Sequence, residues 1–114
     1  MKSLLDRIPV ESVEKMKLYR LGVFGDRSIE LVELKAGQDY PPHFHRNSKT
    51  IFCMIVGEGL IILDGKEQKY SAGKTFRINK SIRHGFKPGT DTLFLSIQTP
   101  PIKDRKTGKE DIHF

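Results

Sequence analysis

The stretch PPHFH at residues 41–45 decides the fold prediction for this chain. Its two histidines, His43 and His45, are two positions apart. Because side chains alternate across a β-strand, both point to the same side of a sheet. A third histidine, His84, lies in another strand-like run. Neutral imidazoles are good ligands for zinc, copper, iron and nickel. The three histidines therefore predict a metal site inside a small β-barrel.

Short strand-like segments surround this stretch, and each ends at a glycine or proline turn signal. Asp64-Gly65 is a type I′ hairpin signal between two of them. Segment 28–34 alternates between two faces without showing which is buried, whereas segment 50–56 is apolar on both faces and is predicted to be central and buried. Many such strands indicate an all-β sandwich or barrel. The predicted strands are 17–23, 28–34, 43–45, 50–56, 60–63, 67–70, 74–78, 83–86 and 92–98.

Length and composition predict one soluble domain over residues 1–114, since 37% of the residues are hydrophobic and 30% are charged. Residues 1–14 are expected to form an irregular or short helical lead-in, residues 28–98 the barrel core and residues 102–114 a polar tail. Ile112 and Phe114 are apolar residues that can dock this tail onto the barrel or a partner subunit. No apolar run is long enough to span a membrane, and residues 1–7 lack the apolar core of a signal peptide. We expect a cytoplasmic location.

The net charge of +6 raises the question of a nucleic-acid partner. The basic residues are scattered and mixed with acids, and no aromatic–basic motif is present. A solvated charged surface is therefore expected, without nucleic-acid or membrane binding. Cys53 is the only cysteine, so no internal disulfide can form. It is predicted to be a small buried hydrophobe rather than a nucleophile or a soft metal ligand.

The residues that flank the histidines follow a wider spacing. Gly37 is followed by five residues, HFH at 43–45, four residues, Thr50, six residues and Gly57. This order resembles the first motif of the cupin family, in which a glutamate stands at the position of Thr50. Gly73 and His84 match the family's second motif, although its proline, second glycine and asparagine are absent. The resemblance covers residues 28–98 and implies a double-stranded β-helix, that is, a jelly-roll barrel.

The resemblance also implies a divalent metal ion, Fe, Mn, Ni or Zn, on His43, His45 and His84. The glutamate position holds Thr50 under the four-residue spacing, or Lys49 under a three-residue spacing, and neither is a good ligand for a cation. Two consequences stay open. A three-histidine site keeps the full charge of the metal and favours anionic ligands, or the pocket works without metal and the histidines serve as polar anchors or acid–base groups.

Candidate pocket residues follow from their place near the histidines or on inward strand faces. His113, in the tail, is predicted to be exposed unless the tail folds over the pocket. The predicted apolar wall consists of Phe52, Met54, Ile62, Phe76 and Phe86. The candidates for ligand contact are Gln38, Tyr40, Thr50, Phe52, Met54, Phe86 and Gln98.

Two classes of function are compatible with these residues. The first is a metal-dependent cupin that takes a small anionic or sugar-like molecule, with dioxygenase or isomerase chemistry as the reaction classes the resemblance implies. The second is a metal-free small-molecule-binding or sensor cupin without catalytic activity. A homodimer is expected, because small cupins often pair through sheet edges or an exposed sheet face and the two apolar faces of segment 50–56 both need cover.

Overall fold

The structure is a computed structural model that describes the backbone of residues 10–13 and all atoms of residues 16–102 and 111–114. Over these residues the chain forms strands and no helix, and accordingly no helix there is long and apolar enough to cross a membrane. The ten strands are β1 Val10–Val13, β2 Met16–Phe24, β3 Arg27–Leu34, β4 Tyr40–His43, β5 Lys49–Val56, β6 Gly59–Leu63, β7 Lys66–Tyr70, β8 Thr75–Ile78, β9 His84–Pro88 and β10 Thr92–Thr99.

Two antiparallel sheets contain all ten strands. One has six strands in the order β1-β2-β3-β10-β5-β8, and the other has four in the order β4-β9-β6-β7. The chain passes repeatedly from one sheet to the other, as in a jelly roll. The all-β jelly-roll prediction is therefore confirmed, and the predicted strand ends agree with the observed ones to within two residues except at β4.

The lead-in prediction is wrong for residues 10–13. They form β1 and pair with β2, with Val10 opposite Tyr19 and Val13 opposite Met16. An edge strand that adds to an existing sheet satisfies its backbone hydrogen bonds without needing any local helical pattern. Residues 1–9 and the charged tail residues 103–110 lie outside the described part of the chain.

Strand β3 shows which of its two faces is buried. Ser28, Glu30, Val32 and Leu34 are buried, whereas the residues between them are partly exposed. Strand β10 runs beside it in register, with Ser96 opposite Glu30. Both strands thus turn apolar residues towards one end of the barrel interior and polar residues towards the other.

Aromatic rings fill the space between the two sheets. Phe94 lies 4.8 Å from Phe52 and 4.9 Å from Phe86, measured between ring centroids. Ile61 is fully buried in the same core, so Ile61 and not the predicted Ile62 is the residue of β6 that faces inward. The predicted wall residue Phe76 packs against the edge of this core. The buried apolar residues are Leu18, Val32, Leu34, Tyr40, Phe52, Met54, Ile61, Tyr70, Ile78, Phe86 and Phe94.

Strand β5 is buried on one face only. Its inward residues are buried, but Ile55 and Val56 are 47% and 52% exposed on the other side. Cys53 is half-buried, so the prediction of a buried cysteine is wrong. The reason is that none of the described residues forms a further layer upon the outer face of the six-stranded sheet. The structure contains one chain, and the predicted homodimer, which would cover this face, stays a prediction.

Candidate metal centre

A cavity of about 70 Å³ lies between the two sheets, with room for several water molecules or one small organic molecule. Strands β2, β3, β5 and β10 form one wall, and β4 and β9 form the other. The lining residues are Met16, Leu18, Arg20, Glu30, Val32, Tyr40, His43, His45, Phe52, His84, Phe86, Phe94, Ser96, Gln98, Ile102 and Ile112.

The three predicted histidines meet at this cavity. His43 is the last residue of β4 and lies opposite His84, the first residue of β9. Their ring centroids are 4.4 Å apart, and the His45 ring lies 5.1 Å from His43 and 5.0 Å from His84. One nitrogen from each ring lies within 4.8 Å of the other two. All three side chains are buried.

A backbone carbonyl holds the Nδ1 side of each ring. The His84 Nδ1 atom is 3.0 Å from the carbonyl oxygen of Ile82, and the His45 Nδ1 atom is 2.6 Å from that of Asp111. The corresponding contact of His43 with Pro41 is longer, at 3.5 Å. A carbonyl oxygen only accepts, so Nδ1 carries the proton and Nε2 keeps its lone pair. This is the arrangement that presents Nε2 to a metal ion.

The Nε2 atom of His84 is buried and has no hydrogen-bond partner within residues 16–102 and 111–114. A buried polar atom without a partner costs about 1–3 kcal/mol, so such atoms are uncommon unless a site needs them. Its ring is one of the three that each offer a nitrogen within 4.8 Å of the other two. The residues present therefore fit a metal ion.

Burial keeps the histidines neutral. Burial, with the nearby His45 as the next cause, lowers the pKa of His43 to about 4. Burial likewise lowers the pKa of His84 to about 3, with His43 as the next cause. The pKa of His45 is also lowered by burial, although the hydrogen bond to Asp111 opposes the change. Metal ligation requires neutral imidazoles, and these rings are neutral at pH 7.

Gly85 brings the two histidine strands together. A Cβ atom at this position would lie 2.8 Å from the carbonyl oxygen of Tyr40 and 2.9 Å from the nitrogen of Pro42. The register between β4 and β9 shifts between Tyr40 and His43, so β4 bulges against β9 at this glycine. Only a residue without a side chain lets the bulge approach so closely.

The predicted pocket residues divide into two groups. Tyr40, Phe52, Phe86 and Gln98 line the cavity with the histidines. Thr50 and Met54 are buried but are not among the lining residues, and Gln38 is exposed in the loop between β3 and β4. Gln38 lies outside the barrel because the chain enters β4 only at Tyr40.

The six-stranded sheet carries a row of polar side chains, of which only Gln98 was predicted from the sequence. The Ser28 hydroxyl donates to Gln98 Oε1 at 2.7 Å, and Gln98 Nε2 donates to the Ser96 hydroxyl. Beside them, Arg20 Nη1 lies 3.1 Å from Glu30 Oε1 inside the same cavity. The alternating pattern of segments 28–34 and 92–98 was the signal that could have predicted this row. It does so only once the inward face of either strand is known.

The C-terminal residues reach the site from the far end of the sequence. Phe44 and His113 form an antiparallel β-bridge, and Ile112 lines the cavity. His113 is therefore partly covered, which agrees with the second of the two predictions made for it. The apolar residues Ile112 and Phe114 indicated that the tail can dock, but not where on the barrel it does so.

Comparison with known proteins now bears on this geometry. The family model described as "Cupin domain" matches residues 30–97, which is more than half of the chain. The chain belongs to the cupin family. Among curated protein sequences none matches it.

Solved structures show the same cupin fold at low sequence identity. A cupin described as RmlC-like, from Shewanella frigidimarina, is 20% identical, with a TM-score of 0.77 over 86% of this chain and 88% of that one. Ectoine synthase from P. lautus is 17% identical, with a TM-score of 0.77 over 89% and 78%. A predicted oxalate decarboxylase from Thermotoga maritima is 18% identical, with a TM-score of 0.75 over 88% and 99%. These likenesses bear on the fold alone.

This cupin has no carboxylate in its histidine group, as far as residues 16–102 and 111–114 are concerned. Thr50, at the glutamate position of the family motif, is 1% exposed, and its Oγ1 atom has no hydrogen-bond partner in the part of the chain that the structure describes. Glu30 faces the same cavity from β3 but does not belong to the group. The described residues thus offer a metal ion three neutral nitrogen ligands.

Proposed function

We propose that this cupin binds a divalent metal ion, Fe, Mn, Ni or Zn, through the Nε2 atoms of His43, His45 and His84. Two observations carry the proposal: the buried Nε2 atom of His84 has no hydrogen-bond partner among the described residues, and each of the three rings offers one nitrogen within 4.8 Å of the other two. Three histidines on one side of an ion leave its other positions open for water or a ligand.

The ligand that we propose for the cavity is a small molecule with an anionic metal-binding group. Three neutral ligands leave the full charge of a divalent ion uncompensated, so enolates, diketonates and 2-oxo acids suit the site. Across the cavity, Gln98, Ser96 and the Arg20–Glu30 pair offer hydrogen-bond donors and acceptors. This wall suits hydroxyl groups, and the small volume of the cavity favours sugar-like or oxo-acid molecules over larger ones.

The reaction classes that we propose are oxygenation of an anionic carbonyl compound and isomerisation of a sugar or oxo acid. A bound divalent ion supplies polarisation of a substrate oxygen or activation of water or dioxygen. Phe52, Phe86 and Phe94 give part of the cavity an apolar lining, and electrostatic interactions beside such a lining are stronger than in water. Ectoine synthase and a predicted oxalate decarboxylase share this fold, which is compatible with an enzyme but selects no reaction.

A metal-free binding or sensor protein is the second candidate. The specific observation in its favour is Thr50, a neutral side chain outside the cavity lining where the family motif has a carboxylate. Loss of an anionic ligand weakens metal binding, and the three histidines then serve as polar anchors for an organic ligand.

Metal loading separates the two candidates. Purified protein is stripped with a chelator, incubated in turn with Fe, Mn, Ni and Zn, and desalted for elemental analysis. We expect about one equivalent of at least one metal in the native chain and a large loss in His43→Ala. Cys53→Ala is the control, because Cys53 is another residue of ligating type but lies outside the cavity lining. Absence of metal above background after all four loadings contradicts the proposal.

Thermal-shift screening of sugars and 2-oxo acids then identifies the ligand class. A shift that appears only in the metal-loaded protein supports a ligand bound to the metal. A shift of equal size in chelator-treated protein supports the metal-free candidate instead. Compounds that shift the melting temperature are then tested in turnover assays with and without dioxygen.

A further inference from the structure

The last four described residues, Asp111–Phe114, form what we call the C-terminal strap. Its backbone is tied to the chain at two places. Phe44 N donates to the carbonyl oxygen of His113 at 2.8 Å, and His113 N donates back to Phe44 at 3.0 Å. Asp111 N donates to the carbonyl oxygen of Ile102 at 2.9 Å. The strap is therefore attached directly beside His43 and His45.

One hydrogen bond joins the strap to the histidine group. His45 Nδ1 donates to the backbone carbonyl of Asp111 at 2.6 Å. The corresponding carbonyls for His43 and His84 come from Pro41 and Ile82, two residues earlier in the chain. His45 alone among the three is oriented by a distant segment. Its ring orientation depends on whether the strap is docked.

The Asp111 carboxylate fixes the strap to the loop that follows His45. Its Oδ1 atom accepts from Arg46 N at 2.9 Å and its Oδ2 atom from Asn47 N at 2.6 Å. His113 Nε2 lies 2.9 Å from the same Oδ1 atom. The Asp111 side chain is only 12% exposed, so these contacts replace those that water would make. Charge-assisted hydrogen bonds of this kind are stronger than neutral ones.

The side chains of the strap lie at the histidine end of the cavity, with Ile112 in its lining and Phe114 61% exposed outside it. Ile112 lines the cavity together with Ile102. The Phe114 ring lies 5.8 Å from the His43 ring between centroids, and the His113 ring stacks on Phe44 at 5.1 Å. The strap thus combines an orienting contact to one ring with an apolar cover over the group.

We propose that the C-terminal strap orients His45 for ligation and closes the histidine end of the cavity, so that it governs metal retention. This inference rests on the metal site proposed above. Asp111 acts as a positioning residue: its side chain holds the strap, and its backbone carbonyl holds the His45 ring. Partners in the second coordination sphere typically change metal affinity by about 10–100-fold when they are removed.

The test uses the full-length chain loaded with Co²⁺, whose visible absorption reports ligand geometry. Excess chelator is added, and the rate of metal loss is followed. We expect Asp111→Ala to speed metal loss by about tenfold or more and to alter the spectrum. Asp111→Asn keeps the side-chain volume and one acceptor oxygen, so a smaller effect is expected in a variant that folds readily. Phe114→Ala should speed metal loss with an unchanged spectrum, because it opens the cover without releasing His45.

Asp91→Ala is the matched control. Asp91 Oδ1 also accepts a loop backbone hydrogen bond, from Ala36 N at 2.9 Å, but it does not line the cavity. Its rate of metal loss should stay within about twofold of the native value. A native-like rate and a native-like spectrum in both Asp111 variants overturn the proposal.

A second measurement needs no metal. Long-range ¹H–¹⁵N spectra of the metal-free protein at pH 7.5 report which ring nitrogen carries the proton. We expect Nδ1–H for His45 in the native chain and a mixture of tautomers in Asp111→Ala. If the native chain takes up neither Co²⁺ nor any of Fe, Mn, Ni and Zn, the proposed function fails, and this spectrum still decides whether the strap orients His45. An unchanged tautomer in Asp111→Ala contradicts that orienting role.

Discussion

His43 and His84 are cross-strand partners, and their buried rings lie 4.4 Å apart between centroids. Burial is the main cause that lowers the pKa of both rings; His43 lowers the pKa of His84 further, and His45 does so for His43, since a second positive charge nearby in a dry interior is unfavourable. Both rings therefore remain neutral in the folded chain well below the pH at which a free imidazole takes up a proton. This difference links the stability of the metal-free protein to pH.

Stability of the metal-free protein should fall as the pH is lowered from about 6.5. In the unfolded chain both histidines take up protons near their ordinary pKa of 6.5, whereas in the folded chain they do so only near 4 for His43 and 3 for His84. The unfolded state thus binds more protons, and each histidine contributes a slope of up to about 1.4 kcal/mol per pH unit. Urea unfolding between pH 7.5 and 5, with chelator present, measures this slope.

The matched variant for this prediction is His84→Gln. It removes one of the buried rings whose pKa is lowered, so its slope between pH 6.5 and 5 should be smaller by about one proton. The range stops at pH 5 so that the Asp111 carboxylate, whose pKa is lowered by its hydrogen bonds from Asn47 and Arg46 although burial opposes this, stays ionised. An identical slope in the variant and the native chain means that His84 is not the source of the pH dependence.

Thr50→Val should leave the free energy of unfolding unchanged or raise it by up to about 2 kcal/mol. The Thr50 hydroxyl is buried without a partner, and a methyl group in its place removes that cost. Thr92→Val is the control: Thr92 is equally buried, but its hydroxyl lies 2.6 Å from the Tyr70 hydroxyl and donates to the Thr90 carbonyl at 3.0 Å. That variant should lose about 1–3 kcal/mol.

The same pair of variants also tests the metal site. If the three histidines suffice, Thr50→Val binds metal as the native chain does. A tenfold or larger loss of metal affinity in Thr50→Val, with Thr92→Val unaffected, places the Thr50 oxygen near the ion or its bound water. Denaturant titration and metal titration on the same samples give both answers.

Gln98→Leu should destabilise the chain by about 1–3 kcal/mol. The Gln98 amide joins the Ser28 and Ser96 hydroxyls inside the barrel, and leucine leaves both hydroxyls without this partner. Gln68→Leu on the exposed strand β7 is the control and should change the free energy of unfolding by less than about 0.5 kcal/mol. Equal effects of the two changes, measured by urea unfolding, contradict a structural role for the polar row.

The fold and the three histidines were predictable because the patterns that indicate them are local. Alternation marks each strand, and the two-residue spacing of His43 and His45 places both rings on one side. The inward face of β3 was not predictable, because a buried glutamate at residue 30 makes the inner face look as polar as the outer one. Only the neighbouring strand β10, with its clear inward Phe94, shows which face is buried.

The contacts that complete the site depend on tertiary structure. His45 finds its hydrogen-bond partner in Asp111, 66 residues away, and nothing in the tail sequence marks that aspartate. Gly85 lies within a predicted strand, but this position requires glycine because β4 bulges against it. Long-range backbone approaches leave no periodic signal in the sequence.

Gly85→Ala should weaken metal binding although it removes no ligand. The added Cβ would lie 2.8 Å from the Tyr40 carbonyl oxygen and 3.0 Å from the Pro42 Cα atom, both in the backbone of the bulge before His43. Backbone cannot move aside as a flexible side chain can, so β4 must shift away from β9. His43 would then move from His84, and we expect at least a tenfold loss of metal affinity with a loss of about 1–3 kcal/mol of stability.

Gly89→Ala controls for the general effect of filling a glycine in this barrel. The nearest atom to its added Cβ, the Glu58 carbonyl oxygen, is 3.2 Å away, which a shift of a few tenths of an ångström relieves. Its metal affinity should match that of the native chain. Isothermal titration with Co²⁺ and urea unfolding compare the two variants. If Gly85→Ala loses stability but keeps its metal affinity, the bulge supports the fold alone, and the distance between His43 and His84 tolerates a change in strand spacing.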